Sequence, residues 1–178
     1  HQGRNKGKEY EEYGAIIRRC IVARPGHVFV AGDVGQQEPR VTAVVAPEPQ
    51  LRKDLEDGIP IYAPVGELIF DRPIDKHDDE PEWHTAKTFW LAYTYGAGLS
   101  KLLELGIPKS QAEEAMEGLA KRYAGLTGFR NRVIMEIREH GYVRDYFGRV
   151  RWLPGAFAAD PYAREAAYRQ GINHHIQG

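Results

Sequence analysis

A single cysteine, Cys20, stands in a chain of 178 residues. That excludes an internal disulfide framework and a thiolate-based zinc site, and makes a reducing compartment the default. No apolar run approaches the ~20 residues that a membrane span needs, so no membrane partner is expected. Residues 1–13 are polar and charged, unlike a signal peptide. An excess of charge of one sign is also missing: 24 basic residues face 25 acidic ones. Net charge therefore argues neither for nor against an anionic partner. The 19 glycines and 11 prolines follow no period, which excludes a collagen-like chain. There is no internal repeat and no low-complexity segment. What is there, 42% hydrophobic and 28% charged residues, suits one ordinary domain with a real core.

The charge balance is uneven along the chain. Acidic residues crowd positions 54–82, opposed only by Arg72 and Lys76. Basic residues crowd 121–151, with Arg130, Arg132, Arg138, Arg144, Arg149 and Arg151 among them. Such asymmetry can mark a face for phosphates, but two solvated helix surfaces explain it as well. Residues 16–22 are apolar and β-branched, strand-like around Arg18-Arg19, and Cys20 reads there as a buried thiol. After a Pro25-Gly26 turn, residues 27–32 read as a buried strand ending at Asp33. Residues 36–45 are strand or helix, with Pro39 fitting a first helical turn. Residues 51–70 are weakly helical, broken by Pro60 and Pro64, and 73–81 form an acidic loop. Helices follow at 83–95, 99–105, 110–124, 126–140 and 163–176. Ser110 and Glu113 match a capping box, and Gly141 a C-cap. Residues 142–154 resemble a hairpin turning at Phe147-Gly148-Arg149. The fold class is α+β: a small sheet and several helices.

Two features carry chemistry. A carboxylate at a strand end, Asp33, is the hard-oxygen donor that Mg²⁺ prefers, although a lone Asp more often starts a turn or caps a helix. Trp83, Lys87, Leu91 and Tyr95 are four residues apart. Each step turns a helix about 40° past a full turn, so they form one slowly winding stripe. A lysine at one level and a tyrosine two turns on suit a ligand with an anionic tail and a flat ring. A core-facing stripe with Lys87 snorkelling fits the spacing equally well.

In combination the segments are more specific. Gly32-Asp33-Val34-Gly35-Gln36-Gln37-Glu38-Pro39-Arg40-Val41 resembles motif A of family A DNA polymerases, with Asp33, Gln36, Glu38 and Arg40 in register. Ala86-Lys87 through Tyr95-Gly96-Ala97-Gly98 resembles motif B, the fingers helix. Gly141-Tyr142-Val143, Phe147-Gly148-Arg149, Arg151, Pro154, Arg164-Glu165, Arg169, Asn173 and Gln177-Gly178 follow in the family's order. The resemblance runs from about Arg18 to Gly178.

The resemblance implies a partial palm sheet with a helical fingers subdomain: palm start at 1–50, fingers at 51–155, return to the palm at 156–178. It implies nucleotidyl transfer from a dNTP to a primer 3′-OH by a two-metal mechanism. Asp33 and the Val34 carbonyl would bind Mg²⁺, and Asp33 and Lys87 would be the catalytic residues. Gln36, Glu38, Lys87, Leu91, Tyr95 and Gly96 would bind the incoming nucleotide. Arg169, Asn173 and Gln177 would contact primer–template DNA. Glu38 would crowd the sugar 2′ position and disfavour ribonucleotides. The cytoplasm of a bacterium or phage-infected cell is the expected location. Trp83 departs from the family's phosphate-binding Arg, and Leu91 from its sugar-packing aromatic. A thumb and the second metal carboxylate are absent from this sequence, so a fragment is expected, one that extends DNA poorly alone. Asp145 and Asp160 would replace that carboxylate only by accident. A non-catalytic nucleic-acid-binding module and a single-subunit RNA polymerase relative are the alternatives. His174 and His175 point about 100° apart on a helix, too divergent for joint metal ligation. Trp152 reads as packing rather than base stacking.

Overall fold

The computed structural model describes residues 13–178, in two units, 1–35 and 36–178. In the first, residues 13–20 form helix α1. Of the strand expected over 16–22, residues 16–20 are helical and 21–22 irregular, and Cys20 is exposed rather than buried. A turn at Pro25-Gly26 follows, closed by the His27 N–H on the Arg24 carbonyl at 2.9 Å, with Gly26 at φ 77°. The buried strand expected over 27–32 is not formed. Val28 is 84% exposed and Val30 94% exposed. The reason is physical: a strand needs a neighbour for its N–H and C=O groups, and none of the described residues pairs with this run. The apolar run was legible, but a partner strand was not.

The second unit is built from helices α2 (Gln37–Val45), α3 (Pro49–Glu56), α4 (Tyr62–Phe70), α5 (Glu80–Thr94), α6 (Gly98–Glu104), α7 (Lys109–Arg122), α8 (Ala124–His140) and α9 (Pro161–Gln177). Between α8 and α9 lie β1 (Tyr142–Arg144), β2 (Val150–Trp152) and a 3₁₀ turn (Pro154–Phe157). The class is α+β. Its sheet is the antiparallel β1–β2 hairpin, in register Tyr142↔Trp152, Val143↔Arg151 and Arg144↔Val150.

Prolines set several boundaries. Pro39 and Pro64 each sit in a first helical turn, where a missing N–H costs nothing. Pro64 therefore helps start α4, and the 51–70 segment becomes two helices. Pro81 lies in the first turn of α5, so that helix begins inside the expected acidic loop. At α7 the N-cap is Pro108 and no side chain caps the helix. The expected Ser110–Glu113 box does not form, because Ser110 already lies within the first turn.

The core runs through the layer of α4, α5 and α7 and on into α8 and α9. Phe89, Trp90, Tyr93, Tyr123, Ile61 and Ile69 are its large buried members. On α5 the buried residues are Ala86, Phe89, Trp90, Tyr93 and Thr94. The 83–87–91–95 stripe is therefore not the core face. It runs along the neighbouring face, with Lys87 exposed and Trp83, Leu91 and Tyr95 partly buried.

Two buried carboxylates lock the elements together. Glu48 accepts from Gln50 N at the start of α3 (3.0 Å) and from Gly125 N at the start of α8. One acid thus caps two helices. Asp54 accepts from Gln50 Nε2 (2.7 Å), Tyr123 Oη (2.7 Å) and Arg122 Nη2 (2.8 Å). Burial pushes its pKa up, but those three donors outweigh it and hold the carboxyl below its ordinary value.

Candidate functional site

Glu38, Tyr95, Asn173 and Gln177 meet where α2, the end of α5 and the end of α9 come together. Gln177 Nε2 donates to Glu38 Oε1 and to Tyr95 Oη, the latter at 3.2 Å. The α9 residues Arg169, Asn173 and Gln177 are four apart, a second stripe like that of α5. The two stripes converge at Tyr95.

Each participant is placed by local chemistry. Gln36 precedes α2 in the left-handed region, at φ 55°. Its side-chain Oε1 accepts from Ile61 N at 2.7 Å, just ahead of α4. This bond ties the start of α2 to the start of α4 and so orients Glu38 two residues on. Gly96 ends α5 at φ 89°, a conformation that costs a side-chain-bearing residue strain. Arg130 of α8 donates to the Tyr93 carbonyl and lies 4.5 Å from the Tyr93 ring centroid. It caps the C-terminal end of α5, where positive charge is favourable.

The Tyr95 phenol is pushed up to about 12, first by burial and then by the Glu38 carboxylate, while hydrogen bonds from Asn173 and Gln177 pull it back. Tyr62 is raised for the same two reasons, burial and Glu38. Both phenols are therefore neutral in ordinary conditions. Trp83 packs edge-on against Tyr62, ring centroids 5.8 Å apart. Where the family pattern has an arginine, this chain has an aromatic pair. Lys87 is exposed and makes no ion pair among the described residues, which leaves its ammonium open to an anion.

Two hollows flank the cluster. One of about 760 Å³ is lined by Glu38, Val41, Val44, Phe147, Ile176 and Gln177, among others. The other, about 300 Å³, is lined by Tyr95, Gly96, Thr127, Arg130, Asn131 and Arg169. Thr127 and Asn131 were not singled out from the sequence, and Arg130 only as a member of the basic run. Their spacing on α8 was the available signal, but it reads as an ordinary polar helix face until α9 is placed beside it.

Asp33 and Val34 are exposed and lie in the first unit, Lys87 in the second. Among the described residues, no three His, Cys, Asp or Glu side chains gather as a metal site. Asp33 and the Val34 carbonyl are hard-oxygen donors of the right kind, but two donors on adjacent residues leave most of a magnesium shell unfilled. The described residues thus do not by themselves fit a two-ion site. Asp145 and Asp160 do not complete it. Asp145 is buried in the hairpin turn, accepting from Phe147 N and Arg149 N (both 2.9 Å). Asp160 caps α9 through Tyr162 N and Ala163 N. His174 and His175 diverge as expected: His174 Nε2 faces the Arg149 carbonyl at 3.1 Å, and His175 Nε2 faces Glu136 at 3.6 Å. No described helix is long and apolar enough to cross a membrane.

The model of DNA polymerase family A matches residues 8–178. DNA polymerase I of Chloroflexus aurantiacus is 33% identical over 171 residues, covering 94% of this chain and 18% of that protein. DNA polymerase I of Rhizobium leguminosarum is 32% identical over 166 residues, 93% of this chain and 16% of that protein. The polymerase domain of Pol1 from M. smegmatis, solved with DNA primer-template and dNTP, superposes with a TM-score of 0.71 at 28% identity. It covers 82% of this chain and 26% of its own. The chain thus spans less than a fifth of these two curated relatives. With motif A, motif B and the α9 pattern in order, and a family match over nearly its whole length, the chain belongs to DNA polymerase family A.

Proposed function

We propose that this chain serves template-directed DNA synthesis, nucleotidyl transfer from a dNTP to a primer 3′-OH. Its residues bind the incoming nucleotide and the primer–template end. The observation that carries the reading is the bridge from Gln177 to Glu38 and Tyr95. It joins the motif A acid, the end of the motif B helix and the α9 stripe at one point. Lys87, two turns back from Tyr95, holds the triphosphate by charge. Leu91 and Gly96 shape the wall along which sugar and base lie, and Gln36 positions Glu38. Glu38 crowds the sugar 2′ position, which disfavours ribonucleotides and the RNA polymerase alternative. Arg169, Asn173 and Gln177 contact the nascent end of the primer–template, whose minor-groove acceptors are common to every correct pair. In this reading residues 1–50 begin the palm, 51–155 form the fingers and 156–178 return to the palm. Asp33 and the Val34 carbonyl would hold part of a magnesium shell, and the ions would supply the metal chemistry of the transfer.

A chimera tests this directly: residues 8–178 replace the matching segment of the Thermus aquaticus polymerase. Asp33→Ala should abolish primer extension and leave primer–template binding intact. Lys87→Ala should raise the KM for dNTP at least tenfold. Extension unchanged by Asp33→Ala overturns the proposal. A chimera that binds primer–template but never extends it favours a non-catalytic binding module, which the single hard-oxygen cluster at Asp33 and Val34 would also fit.

A further inference from the structure

The hairpin's outward face is a second candidate site, apart from the cluster at Tyr95. Opposed residues in an antiparallel pair share a face. Tyr142, Arg144, Val150 and Trp152 therefore stand together, while Val143 and Arg151 point the other way. On the inner face Val143 is fully buried, while Arg151 is exposed and donates to Gln170 at 3.2 Å. On the outer face Trp152 is 69% exposed. The Tyr142 ring lies 4.9 Å from Trp152 and 5.6 Å from His140, the latter nearly parallel at 26°. The Arg144 guanidinium sits 5.2 Å from the Tyr142 centroid. At the tip, Tyr146 and Phe147 are 82% and 77% exposed, with Arg149 beside Phe147. Three open rings and a partly buried fourth thus gather on one short hairpin.

We propose that this face is a stacking platform for unpaired bases of a single-stranded DNA. The inference rests on the polymerase reading for its ligand, an unpaired template strand, and adds a surface which that reading does not use. Flat rings offer stacking to any base, and an arginine beside them meets the phosphate between two stacked bases. Charge complementarity favours this occupant. The outer face carries Arg144, and Arg149 stands beside Phe147 at the tip; the hairpin's one acid, Asp145, is buried and paired to Arg149, and Arg151 lies on the other face. Glu136 and Glu139 lie on α8 beneath. Glu136 accepts from the Arg144 backbone N–H and faces His175. Glu139 stands 3.9 Å from His140. Trp152 packs on Tyr142 by one edge and leaves most of its ring open.

The test titrates the chain with a short oligothymidylate and follows tryptophan fluorescence. Trp90 is buried and Trp83 partly so, which leaves Trp152 as the open reporter. Quenching is expected. Trp152→Ala should weaken binding about tenfold, the worth of one stacked base, while Trp152→Phe keeps most of it. Arg144→Gln should weaken binding and flatten the log–log salt slope by about 0.7. Fully paired duplex of equal length should not quench. Unchanged affinity in Trp152→Ala, with its thermal melt matching the parent, overturns the platform. Equal quenching by duplex also overturns it. So does Trp152-dependent self-association in sedimentation without oligothymidylate binding, which would make this face a protein interface. Arg169→Ala in primer–template binding is the separate arm. If it weakens that binding while Trp152→Ala leaves oligothymidylate binding intact, the platform fails and the polymerase reading stands. If the chain binds neither primer–template nor dNTP, the polymerase reading fails.

Discussion

Two clusters in this molecule use nearly the same groups. At the α3–α7 corner, a carboxylate (Asp54), a tyrosine hydroxyl (Tyr123) and a glutamine amide (Gln50) meet. Where α2, α5 and α9 meet, a carboxylate (Glu38), a tyrosine hydroxyl (Tyr95) and a glutamine amide (Gln177) do the same. The first adds a guanidinium, Arg122, and its acid side chain is 2% exposed. In the second, Glu38 is half-buried and Gln177 exposed. The difference teaches how identical chemistry serves opposite ends. A buried, satisfied carboxylate fixes a fold, because removing any partner leaves a desolvated charge. An open one keeps bonding capacity that a ligand can take up.

The widest gap between the clusters should appear in stability. Asp54→Ala strands Arg122 and Tyr123 and should cost about 3–5 kcal/mol in urea denaturation. Glu38→Ala should stay within about 1 kcal/mol. Similar losses at both positions would erase the distinction drawn here.

A smaller effect tests the closed side alone. A Cβ on Gly125 would stand 2.6 Å from Glu48 Oε2 and 3.2 Å from the Pro47 carbonyl. Backbone cannot yield there as a side-chain tip can. Gly125→Ala should therefore cost about 1–3 kcal/mol. Glu48→Gln should cost about 1–2 kcal/mol, through the two caps it weakens. Thermal melts of the two variants and the parent check both values.

These contrasts also show what could be read from the residues alone. The α5 helix and its Lys87–Tyr95 stripe were legible, because a period near 3.6 and a Gly96 stop are local signals. So were Gly141 as a cap and the turn at Gly148. The roles of Asp54 and Glu48 were not. Each partner set spans 68 to 77 positions of sequence, and an acidic run looks like a solvated face until one member is found inside. Segment 27–32 erred the other way: its apolar residues spell a strand, but a strand is a property of two segments. At the candidate site, the roles proposed for Glu38 and Gln177 came from family order, and their bond across 139 positions from the fold.

Acid titration should separate the clusters further, with a modest effect. Asp54 is held below its ordinary carboxylate value. Its contribution is present above the unfolded-state pKa, near 4, and is lost as pH falls through the lower folded value. The parent should lose stability below about pH 4, and an Arg122→Met variant should lose less across that window. Equal acid slopes in the two proteins would show that Arg122 does not hold Asp54 ionised.

The finest contrast lies in the tyrosine of the open cluster. Tyr95 titrates at about 12 rather than 10.0, with burial the larger cause and the Glu38 charge the second. Glu38→Gln removes the charge and keeps the shape, so the Tyr95 pKa should fall part of the way back toward 10.0. Ultraviolet phenolate absorbance can follow this, with a Tyr95→Phe variant subtracted to isolate the one ring. The sign for stability follows from linkage. A phenol raised by folding stabilises the native state below its unfolded pKa, and that contribution is lost as pH rises through the folded value. The parent should therefore weaken between about pH 10 and 12, and Glu38→Gln should weaken over a narrower span. If Tyr95 keeps its full shift without the Glu38 charge, burial alone sets it. The second cluster would then be as closed as the first, and its claim to be a ligand site would rest on Lys87 and the α9 stripe.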